Sequence, residues 1–211
     1  MKTHILFDFD GTLVDSAPAI LNCFERVLQA HALDACCSID ASLIGPPLRQ
    51  TLEALSGQSD PAVLDALGAS FKDIYDTEAC LQTPAYAACR DVLEQLCAQG
   101  FTLAIATNKR LLPTRRIIAV LGWEVLFAEV FASDFPPQRY RDKSGMIAAL
   151  LHDFNIAPEA ALYVGDTEAD GGAAAANGVA FWPVAWGYGR FSVQEQPLQT
   201  MQELLERLVN A

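Results

Sequence analysis

Positive charge is scarce in this chain. Fourteen lysines and arginines stand against 26 aspartates and glutamates in 211 residues, a formal net charge of −12. That balance argues against nucleic acid or anionic membrane as a partner, because both are bound through clustered cations. It also means that an anionic substrate must be held by a local set of cations and backbone amides, against the field of the whole protein. Long apolar runs are missing as well: none approaches the roughly 20 residues needed to cross a bilayer. Met1-Lys2-Thr3-His4 leads into a strand pattern rather than an apolar leader. The expectation is a cytoplasmic protein with neither membrane nor nucleic acid as partner.

Histidine is equally sparse. His4, His31 and His152 lie far apart and match no metal or triad spacing. The six cysteines (Cys23, Cys36, Cys37, Cys80, Cys89 and Cys97) contain no C-x-x-C pair, so no zinc or dithiol motif is expected. They read as reduced thiols, several buried as small apolar side chains. With cysteine and histidine chemistry set aside, carboxylates become the groups to follow.

Apolar residues, by contrast, make up 52% of the chain. The length suits one large domain, or a core with a smaller unit beside it. Residues 4–9 read as a buried strand closed by a turn. From Ala17 to about His31 the apolar spacing is helical, with Asp15 or Ser16 as candidate N-caps. Gly45-Pro46-Pro47 breaks the chain before a short helix, and Ser59-Asp60-Pro61 opens a longer one. Residues 17 to about 80 therefore read as wholly helical. After Thr83-Pro84 strands and helices alternate: helices over 86–99, 111–121, 144–154, 168–177 and 200–209, with strands at 101–106, near 130–131, at 161–164 and at 178–184. Such alternation predicts an α/β fold, a doubly wound parallel sheet covered on both faces. Residues 1–15 and 84–211 form the core, and 16–83 form a helical cap inserted after the first strand. Ligands of such sheets bind at the carboxyl ends of the strands, so the insertion would overhang the site.

The same strand ends carry the polar residues. The first ends in Asp8 and Asp10, followed by Gly11-Thr12; the second ends in Thr107-Asn108-Lys109. Lys143 precedes a helix, and the strand at Tyr163-Val164 runs into Gly165-Asp166, with Asp170 beyond. Two carboxylates at i and i+2 repel, so they call for a cation, a shared proton or a phosphate-clamping partner. Lys109 reads as a solvated charge near the mouth. Asp15 reads equally as a helix cap or as a hinge residue.

Taken in order, these segments resemble the haloacid dehalogenase superfamily, in its phosphoglycolate phosphatase-like branch with a helical cap. Asp8-Phe9-Asp10-Gly11-Thr12-Leu13-Val14-Asp15-Ser16 resembles the first motif of that branch; Thr107, Lys143 and Gly165-Asp166-x-x-x-Asp170 stand for the second, third and fourth. The resemblance implies a Rossmann-like core and a phosphatase using Mg²⁺ as cofactor. Asp8 would be the nucleophile and Asp10 the general acid and base, with Thr107 and Lys143 completing the catalytic set. Gly11, Thr107, Asn108 and Lys143 would bind phosphate. The metal would fall to Asp8, Asp10 (through its backbone carbonyl), Asp166 and Asp170, the last either as a ligand or by orienting Lys143 or a metal-bound water. Gly45, Pro46 and Arg49 would set specificity, Arg49 meeting a substrate carboxylate. The expected partner is a small phosphorylated metabolite, phosphoglycolate first, with nucleotide or sugar phosphates as alternatives, and the protein a monomer or homodimer. A phosphoglucomutase-like isomerase of the same fold is the other reading; it would draw a cap base from His31. A phosphonate-cleaving variant would need a cap lysine, for which only Lys72 is available. Two departures stand out: Asp142-Lys143-Ser144, after Arg139-Tyr140-Arg141, replaces the family's frequent Lys-Pro, and Gly171-Gly172 suggests a flexible helix start.

Overall fold

The computed structural model describes residues 2–134, 140 and 142–209. Its frame is set by five short apolar runs, each too short for a helix and each ending in a turn. They form β1 (His4–Phe7), β2 (Thr102–Thr107), β3 (Glu129–Ala132), β4 (Ala161–Gly165) and β5 (Ala180–Pro183). All pair in parallel in the order β3-β2-β1-β4-β5. Phe7 sits level with Ile105 on one side and Val164 on the other, so β1, β2 and β4 end together. Parallel strands require crossovers, and the helices serve as these: α1 (Ala17–Ala30), α2 (Leu48–Ser56), α3 (Pro61–Thr77) and α4 (Cys89–Ala98) lie between β1 and β2. Then come α5 (Leu111–Leu121), α6 (Lys143–Asp153), α7 (Glu168–Ala176) and α8 (Met201–Val209).

Alternate side chains of the strands divide between two cores. Ile5, Phe7, Ile105 and Val164 face α4, α5 and α8, while Leu6, Ala106 and Tyr163 face α6 and α7. The sheet is covered on both sides, as the continuous apolar character of its strands requires. No helix among the described residues is long and apolar enough to cross a membrane.

The insertion leaves and re-enters the core through a paired neck. The Asp15 N–H donates to Pro84 O at 2.9 Å, and the Tyr86 N–H to Leu13 O at 3.0 Å. Ser16 stands at the N-cap of α1 but makes no side-chain cap hydrogen bond. The Tyr188 hydroxyl takes the Ala17 N–H instead, at 2.9 Å, and donates to Asp15 Oδ1 at 3.1 Å. Asp15 therefore belongs to the neck and does not cap α1. Within the insertion α3 begins where the sequence predicts, with Asp60 accepting the Ala62 N–H and Pro61 in the first helical position. The expectation of a wholly helical stretch, broken at Gly45-Pro46-Pro47, falls short between α1 and α2. Apart from a single 3₁₀ turn at Ala41–Leu43, that stretch is irregular: Ala32 adopts a positive φ just past α1, and Gly45-Pro46-Pro47 cannot continue a helix.

The start of α7 is firm rather than flexible. Thr167 and Asp170 form a reciprocal capping box. A Cβ on Gly171 would stand 3.0 Å from the Phe181 ring of β5, whereas one on Gly172 would meet nothing. Gly171 thus lets α7 lie close against β5, which in turn fixes Asp170. The two glycines should respond in opposite ways. Gly171→Val should cost about 1–3 kcal/mol through overpacking and lower the melting temperature. Gly172→Ala should be neutral or raise stability by up to about 1 kcal/mol. Thermal melts of the two variants by circular dichroism check this.

Candidate active site

The turn after β1 is built to bring side chains close together. The Asp8 N–H is held by Val164 O at 2.9 Å, and Leu13 N–H closes onto Phe9 O at 2.9 Å. Gly11 has φ +81°, and a Cβ there would collide with the Asp166 carboxylate and the Tyr188 ring. Only glycine permits this approach. Its N–H is spent on Val14 O at 2.9 Å, so Gly11 serves here by its shape, with its donor already engaged.

Three carboxylates converge beside that turn. Asp8, Asp166 and Asp170 are all buried, and each can present one oxygen within 4.8 Å of the others. Lys143, at the first position of α6, sets its ammonium 2.8 Å from Asp8 Oδ2 and 2.5 Å from Asp170 Oδ1. Asp142 caps that helix by accepting the Gly145 N–H, which aims the lysine inward without any Lys-Pro sequence. The other oxygen of Asp170 takes the Thr167 N–H at 3.0 Å and the Thr167 hydroxyl at 2.7 Å. Asp170 is therefore fully engaged in holding Lys143 and α7. Asp166 Oδ2 accepts the Tyr188 N–H at 2.7 Å, and Asp8 Oδ1 is buried with no hydrogen-bond partner.

Charge in this pocket is costly. Burial pushes the Asp8 carboxyl up to about 7 even with Lys143 beside it, and pushes Asp166 up to about 6. Burial also works to lower the Lys143 ammonium, but the neighbouring Asp8 and Asp170 outweigh it and hold it above its ordinary value. An orphaned carboxylate oxygen facing two more acids is a donor set that fits a hard divalent cation. The Asp10 side chain lies outside this cluster.

Asp10 has another partner. Lys109 Nζ lies 2.9 Å from Asp10 Oδ1 and donates to the Tyr75 hydroxyl at 2.6 Å, with its charge 4.6 Å from the centre of the Tyr75 ring. Its side chain is only 5% exposed, which corrects the reading of Lys109 as a solvated charge. No composition or periodicity signal marks the residue; only its place beside β1, two residues past Thr107, could have pointed to it. Its neighbours also reach the insertion: Asn108 donates to Gly45 O at 3.2 Å, and Arg110 grips both oxygens of Asp76 in α3. The buried Thr107 lines the same cavity as Asp8, Asp10, Lys143 and Asp166, a space of about 540 Å³ that also touches Gly45 and Pro46.

Arg49 is elsewhere. Its side chain, 52% exposed, pairs with Asp65 at 2.5 Å and lines, with Lys72, a neighbouring cavity that shares Lys143, Asn108 and Arg110 with this one. At the second position of α2 the side chain projects toward Asp65 in α3. Arg139 and Arg141 lie outside the described residues.

The raised carboxyl values fix a sign for stability. Between the ordinary carboxyl value of 3.8 and the folded values near 6 and 7, the folded state binds more protons than the unfolded chain. Stability from these groups is therefore complete below that window and is lost as pH rises through it. In chelator, the melting temperature should fall between about pH 5 and about pH 7.5. Added Mg²⁺ should raise it more at the higher pH, where protons no longer compete for the same oxygens. Melts in EDTA and in MgCl₂ at both pH values measure the two effects.

Comparison with known proteins agrees with this architecture. A family model described as haloacid dehalogenase-like hydrolase matches residues 5–184. A phosphoglycolate phosphatase from Cereibacter sphaeroides is 31% identical over 97% of this chain and 98% of its own length. A tyrosine-protein kinase, PtkA, from Mycobacterium tuberculosis is 32% identical over 88% of this chain, which spans 63% of that protein's length. Among solved structures, a predicted phosphoglycolate phosphatase from Haemophilus somnus superposes with a TM-score of 0.86 at 25% identity, over 98% of each chain. The chain belongs to the haloacid dehalogenase-like hydrolase family.

Proposed function

We propose that this chain is an Mg²⁺-dependent phosphomonoester hydrolase that carries the phosphoryl group transiently on Asp8, with residues 16–83 acting as a cap over the core of 1–15 and 84–211. Its family and its near-full-length likeness to phosphoglycolate phosphatase make it a phosphoric monoester hydrolase. One observation carries the mechanism: Asp8 has one oxygen steadied by Lys143 and the other buried without a partner, facing the cavity's acidic cluster. A carboxylate so placed is a nucleophile held in one orientation.

Asp8 attacks phosphorus, its oxygen bonding to the phosphoryl group as the bond to the leaving alcohol oxygen breaks. Asp10 gives that oxygen its proton. In the second half Asp10 takes a proton from water, the water oxygen bonds to phosphorus, and Asp8 is released as carboxylate. Thr107 and Lys143 steady the oxygens of the transferring group. Asp8, Asp166 and the backbone carbonyl of Asp10 would hold Mg²⁺, which when bound offsets the charge between nucleophile and phosphate. Lys109 orients Asp10, and through Tyr75 it ties the acid to the position of the cap.

The phosphoglucomutase-like alternative loses its support in the cap. His31 is hydrogen-bonded to Ser70 at 2.8 Å and does not line the cavity. Lys72, the lysine that phosphonate cleavage would need, does not line it either.

The test is phosphate release from a panel of phosphoglycolate, sugar phosphates, nucleoside monophosphates and p-nitrophenyl phosphate, with Mg²⁺ or EDTA. Release should require Mg²⁺ and should fall by about a thousandfold or more in Asp8→Asn. Lys109→Met should lower kcat by about 10- to 100-fold with little change in KM, since the acid rather than the phosphate site is disturbed. Metal-independent release, or full activity in Asp8→Asn, would contradict the mechanism.

A further inference from the structure

The wall that the insertion presents to the active-site cavity is apolar. Ile20, Phe24, Leu43, Ile44, Pro46 and Phe71 all line it. Phe24, Phe71 and Tyr75 form a row of rings, with centroids 4.9 and 5.4 Å apart, that runs along this wall to the Lys109–Asp10 pair. The polar groups on the same wall are largely spoken for: the Thr51 hydroxyl donates to Leu43 O, and the Tyr75 hydroxyl accepts from Lys109. Gln50 is the remaining side chain on that wall with hydrogen-bonding capacity, and it is uncharged.

The cations are committed as well. Among the described residues lining the cavity, Lys143 pairs with Asp8 and Asp170, Lys109 with Asp10, and Arg110 with Asp76. Arg49, the cation expected to meet a substrate carboxylate, pairs with Asp65 and, with Lys72, lines the adjoining cavity rather than this wall. A leaving group with its own negative charge, seated against this wall, would meet an apolar surface with no free countercharge among the described residues that line the cavity, in a protein of net charge −12. Burying an unpaired charge is strongly unfavourable, whereas burying hydrocarbon there is favourable. The cavity of about 540 Å³ runs from Asp8, Lys143 and Asp166 to this apolar wall, so it has room for a leaving alcohol beside the phosphoryl group.

We propose that the leaving alcohol of this enzyme's substrate is uncharged and predominantly apolar, larger than glycolate, and seated against the Phe24–Phe71–Tyr75 row. This rests on the phosphomonoesterase reading above and concerns only the group that departs. The reaction keeps the same balance: the ester oxygen leaves phosphorus, takes the proton of Asp10 and departs as a neutral apolar alcohol.

The experiment measures kcat/KM with Mg²⁺ for ethyl, butyl and benzyl phosphate, with phosphoglycolate as the anionic comparator. These alcohols are of similar basicity, so differences report the fit of the leaving group rather than its departure. The expected result is a rise of about tenfold or more from ethyl to benzyl phosphate, chiefly through KM, with phosphoglycolate below butyl phosphate. Ile44→Lys places a cation on the apolar wall and should raise phosphoglycolate relative to butyl phosphate by about tenfold. Leu43→Lys, at a half-buried position, makes the same test if the first variant does not fold. Phosphoglycolate as the best substrate, or a flat alkyl series, with release still abolished by Asp8→Asn, overturns this inference and leaves the phosphatase reading intact. No release from any of the four, nor from p-nitrophenyl phosphate, overturns both.

Discussion

Lys143 stands 2.8 Å from Asp8 and 2.5 Å from Asp170, and its ammonium is the countercharge placed directly against the cluster of three buried carboxylates. Two like charges about 4 Å apart repel by roughly 4 kcal/mol at the effective dielectric of a protein site. The lysine offsets part of that, and burial, with the remaining repulsion added to it, raises the Asp8 and Asp166 carboxyls. Much of the surrounding structure serves to keep this arrangement in place. The capping box aims Asp170, Asp142 caps the helix that carries Lys143, and Gly11 clears the space into which Asp166 and Tyr188 close. The residual excess of negative charge is what a divalent cation would relieve.

The second organising element is the run Thr107-Asn108-Lys109-Arg110 at the end of β2. Thr107 faces the cavity, while the three residues after it each grip a different part of the insertion: Gly45, Tyr75 and Asp76. Lys109 belongs to both sides, since it also holds Asp10. A displacement of α3 would withdraw Tyr75 from Lys109 and so loosen Asp10. Asp10 and the covering helix are thus mechanically one unit, joined by a buried ammonium.

Much of this was legible in the sequence because local signals and fold agreed. Short apolar runs ending in Asp-Gly, Thr-Asn and Gly-Asp mark strands whose polar ends must meet in a parallel sheet, and Asp8, Thr107, Lys143 and Asp166 do lie together. What escaped was decided by tertiary direction. Lys109 and Arg49 look alike as isolated charges, yet one runs inward to a carboxylate and a ring while the other runs outward to Asp65. Gly171 reads as a helix weakness until Phe181 is seen lying against it. The Tyr188 hydroxyl caps α1 from 171 residues away, a partnership that no local pattern announces. The irregular stretch after α1 runs longer than the break that Gly45-Pro46-Pro47 predicts, since Ala32 already takes a positive φ just past the helix.

The claim on which the account turns is that Asp8 itself receives the phosphoryl group. Asp10→Asn should stall the second half of the reaction by leaving the attacking water without a base. Incubating that variant with Mg²⁺ and ³²P-labelled p-nitrophenyl phosphate, whose phenolate leaves without a proton donor, quenching in acid and mapping the label by peptide mass spectrometry tests the claim directly. The expected result is a hydroxylamine-labile acyl phosphate on the peptide that contains Asp8. Phosphate release with no protein-bound label, or label on another residue, would contradict it and assign the attack to water or to a different nucleophile.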